Sequence, residues 1–151
     1  MALAQSLMAL QRQLTRAWAA QGLEGELSYS EFEYLKLVQA AEEARPSGRP
    51  HDDSSHLSTL AAELQVQKSS ASTMVKKLEK RGLVKRIPCQ FDARAQHILL
   101  TDQGRTLLTQ AQAAVYDALE QRLAAGLGEA EYARLEGCLA RLCEQLSASA
   151  G

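Results

Sequence analysis

The stretch that decides the fold is residues 68–88, KSSASTMVKKLEKRGLVKRIP, which joins a small, hydroxyl-rich start to seven basic residues and a single acid. Four apolar residues recur in it at spacings i, i+3, i+4 and i+7, namely Ala71, Met74, Val75 and Leu78. This spacing predicts a helix with one apolar face, so the hydroxyl and lysine side chains lie on the other face. Gly82 is expected to end the helix.

The positive charge of the chain is concentrated around this helix. Residues 68–94 hold eight Lys or Arg against two acids, whereas the rest of the chain holds nine basic and sixteen acidic residues. The local balance of +6 therefore sits in a protein whose net charge is −1. A basic stripe on an acidic body is typical of a phosphate-binding surface, although a solvated helix face gives the same pattern.

Short segments on either side complete a recognisable supersecondary motif. Leu57 to Leu64 predicts a short helix, and 65–67 forms a tight connection to the basic helix, which together make a helix-turn-helix. Residues 83–87 and 97–101 are rich in branched apolar residues and are separated by turn formers, which predicts a β-hairpin, or wing.

Further helices are predicted at both ends of the chain. Leu3 to Trp18 has helical apolar spacing and should stop near Gly22 and Gly25. Ser28 and Glu31 form a capping box that starts a second helix. Two long helices follow Thr101, and their apolar stripes end near Leu146.

The domain organisation follows from these elements. We expect one domain over 1–151, with a winged helix-turn-helix lobe at 28–100 and helical dimerisation segments at 1–22 and 101–147. The polar, proline-containing segment 44–56 has no periodicity and is predicted to be a flexible loop. The fold class is mainly α with a small β-hairpin.

Composition excludes several classes of protein. The 151 residues suffice for an ordinary core, and the sequence has no signal peptide or apolar run of membrane-spanning length, so a cytoplasmic protein without membrane partners is expected. Three cysteines without CxxC spacing argue against a disulfide framework. The sequence has no nucleophile elbow, no phosphate-binding glycine loop and no paired His and acid at catalytic spacing, so enzymatic activity and cofactors are not expected.

The order of these elements resembles the MarR family of bacterial transcriptional regulators, and the wing is similar to that of its SlyA-like members. The residues that carry the resemblance are LAAEL at 60–64, MVKKLEKRGLV at 74–84, Asp92-Ala93-Arg94 and ILLT at 98–101. The resemblance implies a winged helix-turn-helix homodimer that binds pseudo-palindromic operator DNA, acts as a repressor and responds to a small, aromatic effector. This chain has Gln65 where the family often has a glycine in the turn.

The candidate DNA-binding residues are hydroxyls that let the backbone approach DNA closely and cations that meet phosphates or guanine edges. They are Lys68, Ser69, Ser70, Ser72, Thr73, Lys76, Lys77, Lys80, Arg86 and Arg94. Arg94 at the wing tip is suited to a narrow minor groove, and Asp92 is predicted to stabilise the wing by accepting its hydrogen bonds. An ordinary surface ion pair between these two residues is the alternative.

Several other residues carry metal-binding, thiol or aromatic side chains that also have simpler interpretations. His51, Asp52, Asp53 and His56 are metal-ligand types, but a polar loop explains them and no metal site is predicted. Cys89, near basic residues, is a candidate for a redox-sensing regulator, although an unreactive thiol in the wing is the preferred interpretation. Trp18, Phe32 and Tyr34 are candidates for an effector pocket or for the core. A winged helix that binds proteins instead of DNA is the remaining alternative, and a steep fall of affinity with salt would identify a DNA binder.

Overall fold

The computed structural model describes residues 2–20, 26–44 and 55–149. Six helices and one antiparallel hairpin follow one another in the predicted order, which confirms the fold class. They are α1 (Ala2–Ala20), α2 (Tyr29–Glu43), α3 (Leu57–Glu63), α4 (Lys68–Lys80), β1 (Val84–Pro88), β2 (Gln96–Leu100), α5 (Asp102–Gly126) and α6 (Glu129–Ser149).

The chain divides into two compact units, residues 1–113 and 114–151. The core of the first unit is apolar and comes from all of its elements. Its largest fully buried side chains are Trp18, Leu27, Leu35, Val38, Leu60, Val75, Leu78, Leu83, Ile98 and Leu108. The second unit contains the end of α5 and all of α6, whose leucines at 139, 142 and 146 are exposed in the single chain. Among the described helices, none combines the length and apolar character that a membrane span requires.

The α2 helix starts at the predicted capping box. The Ser28 hydroxyl accepts from the Glu31 N–H at 3.3 Å, and the Glu31 carboxylate accepts from the Ser28 N–H at 2.8 Å. The same carboxylate lies 2.6 Å from Arg81 and 3.3 Å from Lys77, at the far end of α4. Glu31 therefore begins one helix and also binds the end of another.

The wing is a two-stranded ladder in which Val84 pairs with Leu100 and Pro88 pairs with Gln96. Each strand is shifted by one residue from the predicted span. A backbone segment outside the hairpin extends this sheet, because Ile98 N–H donates to Ser55 O and residue 56 forms a bridge with residue 97.

The predicted loop needs a correction at its end. Of segment 44–56, residues 45–54 lie outside the described residues, but Ser55 and His56 are buried and lie beside β2. Sequence patterning missed this because a single bridge residue creates no period. The predicted stops at Gly22 and Gly25 also lie outside the described residues.

The hydroxyl of Thr101 joins three elements at the base of the wing. It donates to Gly82 O at 2.5 Å and accepts from the Gly104 N–H at 3.0 Å, which caps α5. Gly104 is required for this contact, because a Cβ there would lie 2.0 Å from Leu83 O. The end of α4, the wing and the start of α5 therefore meet with almost no free space.

We predict that Glu31→Gln destabilises the protein by about 2–3 kcal/mol at pH 7, because it removes a buried, hydrogen-bonded charge from two basic partners. Burial raises the pKa of Glu31, but the hydrogen bonds from Ser28 and Arg81 together lower it from 4.5 to about 2. The folded-state pKa is depressed, so this stability is present above about pH 4.5 and is lost as the pH falls towards 2.

Urea denaturation across pH tests this, with Glu33→Gln as the matched control. Glu33 belongs to the same helix, and its exposed pair with Lys36, at 2.9 Å, should contribute less than about 1 kcal/mol. Equal stability losses in the two variants, or a Glu31→Gln effect that persists undiminished at pH 2, would contradict the assignment.

Candidate nucleic-acid interface

The outer face of α4 presents the predicted small and basic residues. Ala71, Val75 and Leu78 are buried on the inner face, which leaves Ser69, Ser70, Thr73 and Lys76 exposed and Ser72 half-buried. The Thr73 hydroxyl donates to Ser69 O at 3.0 Å. The exposed face therefore carries small hydroxyl side chains near the start of the helix and a lysine, Lys76, one turn later.

Lysines in the last turn of α4 have a second, intramolecular use. Lys77 lies 3.3 Å from the Glu31 carboxylate, although its side chain keeps 58% of its exposure. Lys80 is exposed in the same turn. Positive side chains at a helix C-terminus also interact favourably with the helix dipole, so these two residues stabilise α4 whatever else they bind.

The turn between α3 and α4 places a side chain where glycine is usual. Gln65 has a φ of 52°, and among the described non-glycine residues it alone has a positive φ. Its N–H donates to Ala62 O, and the N–H of Val66 donates to Ala61 O. This left-handed residue closes the end of α3 and directs the chain into α4, as glycine does in such turns.

The two wing arginines differ in their surroundings. Arg86 Nε lies 3.1 Å from Glu79 and its Nη1 donates to Gln96 at 3.4 Å, with only 19% of the side chain exposed. Arg94 is exposed at the hairpin tip. Arg86 therefore connects α4 to both wing strands, whereas Arg94 faces solvent.

Asp92 shapes the hairpin tip through the backbone. Its carboxylate accepts from the Arg94 N–H at 2.8 Å, and its carbonyl accepts from the Ala95 N–H at 3.0 Å. This agrees with the predicted wing-stabilising role but involves the Arg94 main chain. The Arg94 guanidinium is not needed for the turn.

A cleft of about 210 Å³ brings the start of α4 and the wing together. Lys68 and Arg94 both line it, with Asp92 and Gln96 from the wing and Ser58 from the start of α3. The sequence places Lys68 and Arg94 26 residues apart, so their common cleft is a property of the fold. Ser58 was missed because a single hydroxyl in a seven-residue helix gives no pattern.

A protein-family model matches the part of the chain that contains the helix-turn-helix and the wing. The model of the MarR family matches residues 27–95, from the residue before the α2 capping box to the end of the hairpin loop. These residues are therefore similar to the MarR family. No curated protein matches the sequence.

Solved MarR-family structures share the fold over nearly the whole chain. Apo wild-type MarR from E. coli is 21% identical with a TM-score of 0.77, and the match covers 93% of this chain and 95% of that one. The transcriptional repressor CouR, solved on a 23-mer DNA duplex, is 26% identical with a TM-score of 0.70, covering 93% and 92%. S. aureus MepR, solved in complex with DNA, is 22% identical with a TM-score of 0.65, covering 94% and 96%.

The candidate effector-pocket residues lie in the core of the first unit. Trp18 and Phe32 are each 2% exposed, their ring centroids are 4.4 Å apart, and the Trp18 indole N–H donates to Leu27 O. Tyr34 is also buried, and burial raises its pKa. The structure therefore places all three in packed surroundings, where an effector would have to displace them.

The thiol candidate is buried as well. Cys89 is 5% exposed, which disfavours the redox-sensing interpretation because reactive thiols are accessible. His56 and His97 lie beside it, also buried. Of the four candidate metal-ligand residues in the loop, His51, Asp52, Asp53 and His56, only His56 lies within the described residues.

We predict that Arg86→Ala destabilises the domain by about 1–2 kcal/mol, because it removes two polar contacts and a packed side-chain stem. Arg94→Ala should change stability by less than about 0.5 kcal/mol, since the backbone maintains the hairpin tip. Urea denaturation of both variants checks this. A larger loss for Arg94→Ala than for Arg86→Ala would reverse the assignment of the two arginines.

Proposed function

We propose that this protein is a regulator of the MarR family, a sequence-specific, double-stranded DNA-binding transcriptional repressor that acts as a homodimer on a pseudo-palindromic operator. The observation that carries the proposal is the common cleft of Lys68 and Arg94, beside an α4 face of exposed hydroxyls and lysines. The DNA complexes of CouR and MepR, which have the same fold, support it.

The chemistry of α4 suits the major groove. Small side chains at Ser69, Ser70 and Thr73 allow the helix backbone to approach the base edges, and hydroxyls pair with donors or acceptors. Lys76 follows one turn later and reaches a phosphate or guanine O6 and N7. Lys68, at the positive end of the helix dipole, is placed for a phosphate.

The wing supplies the second contact. A guanidinium at an exposed hairpin tip enters an A·T-rich minor groove, where the negative potential is enhanced. Arg94 is free for this role because Asp92 binds its backbone N–H. Arg86 is already bound to Glu79 and Gln96, so we assign it to holding the wing in place.

The homodimer is supported by apolar side chains that a single chain leaves exposed. On α1 these include Leu3, at 72% exposure, and Leu7, at 48%; on α6 they include Leu142, at 48%, and Leu146, at 70%. Each set recurs at helical spacing and so forms one stripe on its helix. A dimer that covers these stripes would also present two α4 helices to two half-sites.

Release by a small aromatic effector is the remaining part of the proposal and rests on the family resemblance. Trp18 and Phe32 connect α1 to the start of α2, close to the capping box that positions α4. An effector that opened this aromatic contact would therefore change the support of the DNA-binding helix.

We predict that Arg94→Ala weakens binding to an operator selected from random DNA by at least ~10-fold. Lys76→Ala should reduce the slope of log Kd against log salt concentration by roughly 0.9, which is the value for one phosphate contact. Gel-shift titrations at several salt concentrations measure both effects. Lys36→Ala is the charge-matched control, because Lys36 pairs with Glu33 on α2. Unchanged affinity for Arg94→Ala would remove the wing from the mechanism, and salt-insensitive binding would favour a protein partner.

Light scattering at micromolar concentration should give twice the 16.5 kDa chain mass. Leu142→Glu should yield monomers, because it buries a charge in the proposed interface. Glu144→Lys is the matched control and should remain dimeric, because Glu144 is exposed and lies about 160° around α6 from Leu142 at 100° per residue. A monomeric wild-type protein would contradict the homodimer.

A further inference from the structure

The loop end of the wing ladder contains a compact group of metal-ligand side chains. His56, Cys89 and His97 each offer one ligand atom, and these three atoms lie within 4.8 Å of one another. The residues are 6%, 5% and 7% exposed. They come from the segment before α3, the residue that follows β1 and the start of β2, so the sheet and its loop bring them together.

We propose that His56, Cys89 and His97 form a binding site for a zinc-class divalent metal ion. One thiolate and two imidazoles are the ligands that Zn²⁺ prefers, with the fourth position left to water. Zinc bonds of about 2.0–2.3 Å require ligand atoms roughly 3.3–3.7 Å apart in a tetrahedral site. Side-chain shifts of about 1 Å would bring the group to that spacing.

The surroundings fit a metal site. The Ser55 hydroxyl lies 2.8 Å from His97 Nδ1, a buried hydrogen bond that fixes the imidazole ring, and outer contacts of this kind orient ligating histidines in metalloproteins. The backbone is also fixed, since the Cys89 N–H donates to Ala95 O at 3.0 Å and Ile98 N–H donates to Ser55 O at 2.9 Å. These backbone hydrogen bonds hold Cys89 directly, and they hold His56 and His97 through the residues next to them.

The alternative is that the three side chains only pack together. The His56 and His97 rings contact each other, with centroids 4.5 Å apart, as rings in a metal-free core also do. Packing alone predicts no measurable affinity for Zn²⁺ or Co²⁺ at this position. A bound ion, in contrast, would connect the segment before α3 to both sides of the hairpin loop.

The test uses the full-length, reduced and chelator-treated protein with Co²⁺ as the probe. We expect one equivalent of Co²⁺ to produce a thiolate-to-metal charge-transfer band and intense visible bands typical of tetrahedral cobalt, and Zn²⁺ to displace them. Zn²⁺ at ~100 times its Kd should also raise the melting temperature by roughly 5 °C or more. These measurements need no variant and so do not depend on whether a variant folds.

Variants then assign the ligands. Cys89→Ser and His97→Gln should each weaken Co²⁺ binding by at least ~100-fold, with far-ultraviolet circular dichroism confirming that each variant is folded. The control is Cys138→Ser with Cys143→Ser, which removes the two exposed thiols of α6 and should leave the spectrum unchanged. A wild-type spectrum without a thiolate band, or a band lost in the control and kept in Cys89→Ser, would overturn the proposal.

Discussion

The described structure depends most on the buried carboxylate of Glu31. Its oxygens accept a hydrogen bond from the Ser28 N–H and form ion pairs with Arg81 and Lys77. Arg81 also donates to Glu26 O. A buried charge is tolerated only where partners surround it, so this geometry admits little displacement of α4 against α2. The face of α4 that points outward is fixed by the same contacts, since rotation about the helix axis would pull Arg81 from the carboxylate.

A second carboxylate plays the corresponding part at the other end of α2. Glu42 accepts from the Leu100 N–H at 2.6 Å and from the Arg105 guanidinium at 2.7 Å. The hydrogen bond with Glu42 raises the pKa of Arg105. One helix therefore holds α4 through its first turn and holds β2 and α5 through its last. Thr101 closes the arrangement by joining Gly82 to the start of α5. The helix-turn-helix and wing are thus supported by hydrogen bonds and ion pairs as well as by apolar packing.

Local patterns were enough to predict the elements but not these connections. Helical spacing, the Ser28–Glu31 capping box and the branched residues of the hairpin are all signals within a few residues, and the structure confirms the elements they predict. The Glu31–Arg81 pair spans 50 residues and no local period marks it. The same limit explains why Arg86 was grouped with the exposed cations, and why His56 was assigned to a loop although its buried neighbours are Cys89 and His97.

The basic stripe consequently serves two purposes that composition cannot separate. Lys77, Arg81 and Arg86 meet acids of their own chain, whereas Lys68 and Arg94 line an open cleft. The first group positions the second, because Arg86 holds the wing on α4 and the wing carries Arg94. The hairpin loop is short and closed by backbone hydrogen bonds, so the position of Arg94 follows the ends of the two strands that the loop joins. A change in the packing of Cys89 and His97, which lie at those strand ends, would therefore move the arginine at the tip.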